Sequence, residues 1–466
     1  KTRRFMFISW TGSGLDSIRF LAVARKRIES RPDPVQEMNM NRRVFMKSGA
    51  MALVTMGLSP AFLRRSVYAQ DLLKGAARYG NRRGKVLICL FQRGAADALN
   101  VVVPHGEDAY YRMRPSIAIP RPGRLASGES AIDLDGFFGL HPSLAPFHDL
   151  WRRGMLAPVH AVGSPSSTRS HFDAQQYMES GTPDRKGTVG GWLNRYLATR
   201  GTCEECDARE RPSAFRAVSM TPQTPLILEG PAPSIAMNDL NDFTIRSSGS
   251  QAEEIEALYY TGAADIVHAA GSEMVEAMRV LRAANPSQYR SENGAEYPRS
   301  PFGRHLQQIA QLIKADVGLE IAFADVGGWD THVNQGGSSG QLALRLGDFA
   351  RSIGALVTDL GDRMAGVTIM TMSEFGRTAR QNGNGGTDHG HASALFVIGG
   401  SVHGGKVYGR WPGLEPEQLN EGRDLALTTD FRSIFSEVIT KQLGAERIDA
   451  IFPGWGGGRG EWVGVM

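Results

Sequence analysis

The sequence predicts an α/β fold built on a doubly wound, mostly parallel sheet. Three observations carry that prediction. Near-continuous apolar runs recur along the chain, stretches of helical periodicity lie between them, and Gly-rich segments bearing carboxylates and imidazoles follow several of the runs directly. A strand buried on both faces reads as an unbroken apolar run, and strands alternating with helices give the crossovers that parallel neighbours require.

The first run is Lys85 to Phe91 (Lys-Val-Leu-Ile-Cys-Leu-Phe), followed by Met155 to Val162, Leu319 to Ala324, Val367 to Met372 and Ala394 to Ile398. Their lengths suit strands better than helices. Helical patterns cover Pro142 to Arg153, His171 to Ser180, Phe302 to Ala315, Gln341 to Met364 and Phe431 to Leu443. Residues 200–300 break this rhythm with Pro-rich turns, a strand-like Pro225 to Leu228 and a helical stretch from Glu253 to Arg282, which read as an inserted cap. Asn285 to Pro301 is polar and is expected on the surface as a loop. Gly-rich Gln381 to Gly386 lacks the spacing and the Lys of a phosphate-binding loop.

The N-terminal region reads as an address. Asn41-Arg42-Arg43-Val44-Phe45-Met46-Lys47 precedes an uncharged, mildly apolar run of 16 residues, Ser48 to Leu63, and Val67-Tyr68-Ala69 follows as a cleavage site. That order of basic, apolar and cleavage segments is a twin-arginine secretory signal over 38–69. A membrane span is disfavoured, because the run is short and contains Ser, Thr, Gly and Pro. Residues 1–37 precede Met38 and Met40 and are read as a non-native upstream segment. The expected export partner is the twin-arginine machinery, the expected location is periplasmic or secreted, and no stable membrane span is expected after cleavage.

Charge follows the same division. Residues 1–69 hold 13 Lys and Arg against 4 Asp and Glu, a net +9, which leaves −5 for residues 70–466 of a chain whose total is +4. A mildly acidic mature domain gives no reason to expect a nucleic-acid partner. Cys203-Glu204-Glu205-Cys206 is a single C-x-x-C, read as a local disulfide in an oxidising compartment, with Cys89 a core residue.

The chemistry is concentrated beyond the strand ends. Asp97 lies in Arg93-Gly94-Ala95-Ala96-Asp97-Ala98-Leu99-Asn100, after the first run, where an open α/β sheet can present an acid to a metal. Ser170 opens a helix, either as a cap through the Ser170 and Asp173 spacing or as a nucleophile among free N–H groups, with Arg169 as an anion clamp, His171 beside it in the candidate catalytic set and Thr168 as a rival hydroxyl. Asp330 and His332 sit two apart in Gly-Gly-Trp-Asp-Thr-His, so an extended backbone turns both to one side. Glu374 and Arg377 lie in Ser-Glu-Phe-Gly-Arg-Thr, either at a site or as an ion pair at a loop base. Asp388, His389 and His391 pack two imidazoles and a carboxylate into four residues, of which one is expected to serve behind the ligands or in proton transfer. The candidate metal set is therefore Asp97, Asp330, His332, Glu374, Asp388, His389 and His391.

These motifs resemble a bacterial family of exported proteins catalogued as domain of unknown function 1501, over about Lys85 to Leu443. That family is in turn similar to the alkaline phosphatase and sulfatase superfamily. The resemblance implies a three-layer α/β/α sandwich, two divalent ions and a Ser or Thr nucleophile. Carried over by position, Asp97 matches the first-strand metal acid, Ser170 the nucleophile, Asp330 and His332 the ligands of one ion, and a His in 389–391 the late ligand. The chain departs from the superfamily pattern at Glu374-Phe375, where Asp-His is usual, and in its shortened Asp-x-His.

The expected function is an exported metal-dependent hydrolase of phosphate or sulfate esters, acting on a small-molecule ester or a surface polymer with one or two ions of Zn or of Ca, Mg or Mn. The alternative is a non-catalytic binding or export-associated protein on a hydrolase-derived fold. One fold hosts many functions, so the site must decide.

Overall fold

A computed structural model describes residues 84–123, 128–200, 213, 215–240 and 289–466. The twin-arginine segment, the upstream 1–37, Cys203 and Cys206, and the helical stretch 253–282 lie outside the described residues.

In chain order the strands are β1 (Val86–Gln92), β2 (Val102–Val103), β3 (Ile132–Asp133), β4 (Gly139–Leu140), β5 (Leu156–Gly163), β6 (Ala217–Ser219), β7 (Ile235–Ala236), β8 (Ile321–Val326), β9 (Val367–Met372), β10 (Ser393–Gly399) and β11 (Thr429–Asp430). Eight of them form one sheet in the order β11-β5-β10-β9-β1-β8-β6-β7, and β2, β4 and β3 form a small antiparallel one. The long helices are α1 (Ala145–Arg152), α2 (His171–Ser180), α3 (Trp192–Thr199), α4 (Pro301–Lys314), α5 (Gln341–Leu360) and α6 (Phe431–Leu443).

Strand β1 is buried along its whole length because both of its faces are covered. Val86, Ile88 and Leu90 join a core with Phe147 of α1, Leu306 and Ile309 of α4, and Phe349 and Ile353 of α5. Leu87, Cys89 and Phe91 join the other, with Trp192 and Tyr196 of α3 and Phe435 and Ile439 of α6. Each such side chain removed from water contributes about 1.5–3 kcal/mol before chain entropy is set against it. The result is α/β architecture on a large, mostly parallel sheet. Among the described residues no helix is long and apolar enough to cross a membrane.

The register decides where the chemistry collects. β1 pairs in parallel with β8 (Gln92 beside Val326) and with β9 (Phe91 beside Met372), so the three strands end at one edge. β10 is antiparallel to both β5 and β9, so β5 points the same way as β9. The segments leaving β1, β5, β8 and β9, and the segment entering β10, therefore meet at one edge of the sheet.

Three expectations need correction. Among the described residues, the Ala394 to Ile398 run lies in the one antiparallel strand of the otherwise parallel sheet, since an apolar run encodes burial and carries no direction. Pro225 to Leu228 is no strand but ends in a single 3₁₀ turn over Leu226–Leu228. The Gln341 to Met364 helix stops at Leu360, where Gly361 adopts φ +51° and a 3₁₀ turn continues over Gly361–Gly366.

Candidate metal centre

Four segments build the site at that edge. Beyond β1, Gly94 takes φ +117°, and a Cβ there would lie 2.7 Å from the Asp330 amide nitrogen, so only Gly lets this turn rest on the segment after β8. The Gly94 amide donates to Glu374 Oε1 at 2.8 Å. Beyond β5, the Ser170 side chain caps α2 by accepting from the Asp173 amide, and the helix then starts with His171. Beyond β8 come Asp330 and His332. The 20 residues between β9 and β10 carry Glu374, Arg377, Asp388 and His389.

Three imidazoles converge here. His171 Nε2 lies 2.9 Å from His389 Nε2, which lies 3.0 Å from His332 Nε2. Asp330 reaches all three, at 3.6 Å from His171, 3.4 Å from His389 and 3.0 Å from His332, measured from each Nε2. The ligand atoms of His171, Asp330 and His389 all lie within 4.8 Å of one another. Tetrahedral zinc with bonds of about 2.0–2.1 Å separates its ligand atoms by about 3.4 Å, the scale seen here.

The opposite ring nitrogens settle the tautomers. His171 Nδ1 faces Glu374 Oε1 at 2.7 Å, His332 Nδ1 faces Asp388 Oδ1 at 2.8 Å, and His389 Nδ1 faces the Arg169 carbonyl at 2.9 Å. Each of these partners can only accept, given ionised carboxylates, so each Nδ1 carries a proton, and each ring in its neutral form turns an Nε2 lone pair inward. Lone pairs about 3 Å apart repel unless a proton or cation lies between them. Imidazoles fixed through Nδ1 by carboxylates and carbonyls, with Nε2 converging, are what a metal centre requires.

The surrounding charges are tuned to match. Burial would raise the Glu374 carboxyl, but hydrogen bonds from His171, from Gln175 at 2.9 Å and from the backbone outweigh it and hold it below the usual range. The same Glu374 bond raises His171 above its ordinary value. Burial, joined by the neighbouring charge of His171, lowers His389. Asp330 is pushed up by burial but held below its usual value by Arg377. The His332 bond lowers Asp388.

The candidate residues do not all meet. Asp97, expected from the sequence as a metal acid, stands apart from the imidazole cluster: Arg114 grips its carboxylate with bonds of 2.6 and 2.9 Å, and Gln335 adds one of 2.6 Å. His391 hydrogen-bonds the Ser164 carbonyl at 3.1 Å and shares none of the short contacts of the cluster. Glu374 and Asp388 act behind the imidazoles. Ser170 is exposed and serves as a helix cap, Thr168 Oγ1 accepts from the Ser170 amide at 3.3 Å, and Arg169 pairs with Glu421 at 2.7 Å and Asp424 at 2.8 Å. Sequence reasoning missed Gln175, which lies one helical turn after His171, the i+4 spacing that puts both on one face of α2. It also missed Gln335, whose amide oxygen accepts from Thr331 and Thr387 at 2.8 Å each and ties two of the site segments together; no spacing signals that role.

No curated protein matches the chain. Residues 84–452, which contain every residue of the cluster, match the family described as "Protein of unknown function (DUF1501)", and the chain belongs to that family.

Proposed function

We propose that the protein is an exported, metal-dependent hydrolase of phosphate or sulfate esters on an alkaline phosphatase-like, three-layer fold. The observation that carries the reading is the convergence of the His171, His332 and His389 Nε2 atoms on Asp330, each ring held from behind by an acceptor. Nitrogen-rich donors of this kind favour zinc or another transition dication over calcium or magnesium, which prefer oxygen ligands. A bound ion would supply Lewis acidity, polarising an ester oxygen and lowering the pKa of a water.

The chain's own residues prepare that chemistry. Glu374, fully buried, fixes the His171 ring, and Asp388 fixes His332. The side chains of His171, His389, His332 and Asp330 keep 22–46 % of their exposure, so the cluster has an open side for a small ester or the end of a surface polymer. Ser170 is engaged as a cap, which favours water over a side-chain hydroxyl as the attacking group. The same observation favours a second reading, a binding protein that keeps the ion without turnover. Export rests on the Arg-Arg-x-Phe-x-Lys order of residues 42–47, and delivery would pass through the twin-arginine machinery.

Metal analysis of the exported protein, paired with a screen of aryl phosphate and sulfate esters, separates the readings. Bound metal with turnover abolished by a chelator is the expected result. Stoichiometric metal with no turnover supports the binding reading, and absence of metal removes both.

A further inference from the structure

The resemblance to the alkaline phosphatase and sulfatase superfamily implies two ions, but the residues at this edge provide for one. The difference lies with Arg377. Its side chain is fully buried and all of its donors are committed at the centre of the site. Nε donates to the Ala95 carbonyl at 2.8 Å, Nη1 to that of Thr387 at 3.1 Å, and Nη2 to those of Gly94 at 2.7 Å and Trp329 at 3.3 Å. Nη2 also holds Asp330 Oδ1 in a short ion pair, and Nη1 lies 3.4 Å from His332 Nε2.

We infer that the Arg377 guanidinium is a built-in cation in the place of a second ion, so that the centre takes a single dication and Arg377 positions Asp330 for it. The inference rests on the metal-centre reading above. A guanidinium does not lose its proton in a protein, so this charge is permanent and repels a dication brought beside it. It also takes the approach to His332 Nε2 that a second ion would need. The other carboxylates are already committed. Glu374 accepts from Gly94, His171 and Gln175, Asp388 from His332 and Asn382, and Asp97 from Arg114 and Gln335. A second hard or borderline dication would find no free carboxylate among these.

The positioning role follows from the same bonds. Gly94 and Ala95 follow β1, Trp329 and Asp330 follow β8, and Thr387 precedes β10, so one planar fork joins three segments that have no backbone continuity. A lysine offers one nitrogen at that place and cannot span five acceptors.

The test is to strip the folded, full-length protein with a chelator, reload it with Zn²⁺ and count ions by native mass spectrometry. One zinc per wild-type chain is expected. Arg377→Lys, checked by circular dichroism, is expected to bind zinc at least tenfold more weakly in a chelator competition. Two zinc ions on the wild type would overturn the inference and leave the metal-centre reading standing. No zinc on the wild type would overturn that reading, and the inference with it. A folded Arg377→Lys chain with wild-type affinity would overturn the positioning role, and if that variant does not fold, the wild-type count still decides between one ion and two.

Discussion

Replacing Asp97 with Ala should destabilise the fold by several kcal/mol while leaving metal affinity almost untouched. The Asp97 and Arg114 side chains are 1 % and 0 % exposed, and their two hydrogen bonds of 2.6 and 2.9 Å form a bidentate pair cut off from water. Removing one member of such a pair strands the other charge, at a cost of about 3–5 kcal/mol. Gln335 loses its 2.6 Å acceptor as well, which adds about 1–3 kcal/mol if its amide finds no other. Arg114 keeps the carbonyls of Ala379 and Thr378, both at 2.9 Å, and Asn100 Oδ1 at 2.8 Å, and these soften the loss. We therefore expect about 3–5 kcal/mol in all. Urea unfolding measures it through the midpoint, provided the slope is unchanged. Zinc affinity by chelator competition should stay within about twofold, because no contact of Asp97 reaches the imidazole cluster. A loss below about 1 kcal/mol, or a tenfold weaker zinc affinity, would refute the assignment of Asp97 as a structural anion.

Three further outcomes follow. Glu374→Gln takes the carboxylate from His171 Nδ1 and should weaken zinc binding about 10- to 100-fold, so an affinity within twofold of wild type would contradict the orienting role of Glu374. His160 is buried between Phe138 and Trp411, and neither ring nitrogen has a hydrogen-bond partner among the described residues. Burial pushes its pKa down to about 3, against about 6.5 in an unfolded chain, so stability present above pH 6.5 is lost as pH falls towards 3, about 2 kcal/mol of it by pH 5. His160→Leu should lose that much less than wild type between pH 7 and pH 5, and equal losses in urea unfolding would reject this. Replacing Arg42 and Arg43 together with Lys should hold the protein in the cytoplasm on cell fractionation, and normal export would defeat the twin-arginine reading.

The central strands were legible because their burial on both faces leaves one-letter evidence, as in Val86 to Phe91 and Val367 to Met372. Direction was not legible, and β10 shows why: the same apolar run satisfies either ladder. The short strands β6, β7 and β11, of two or three residues each, are too brief for periodicity to register. Helix α3 escaped notice although Trp192, Leu193, Tyr196 and Leu197 have helical spacing, because it sits between Gly-rich and polar stretches. For the site, sequence reasoning could find segments dense in ligand-type side chains but not the partner each would choose. Asp97 and Glu374 both follow strands at the same edge, yet one meets Arg114 from its own loop region and the other meets His171, 203 residues away. Those choices depend on buried partners outside any motif. His171 shows the same limit, read as a neighbour of a nucleophile and found among the converging rings.

The most direct test is anomalous diffraction at the zinc edge from crystals of the reloaded protein. The account predicts one peak, bonded to the Nε2 atoms of His171 and His389 and to the Asp330 carboxylate at about 2.0–2.2 Å, with His332 beside it. A peak beside Asp97 or His391, or none at the imidazole cluster, would contradict it.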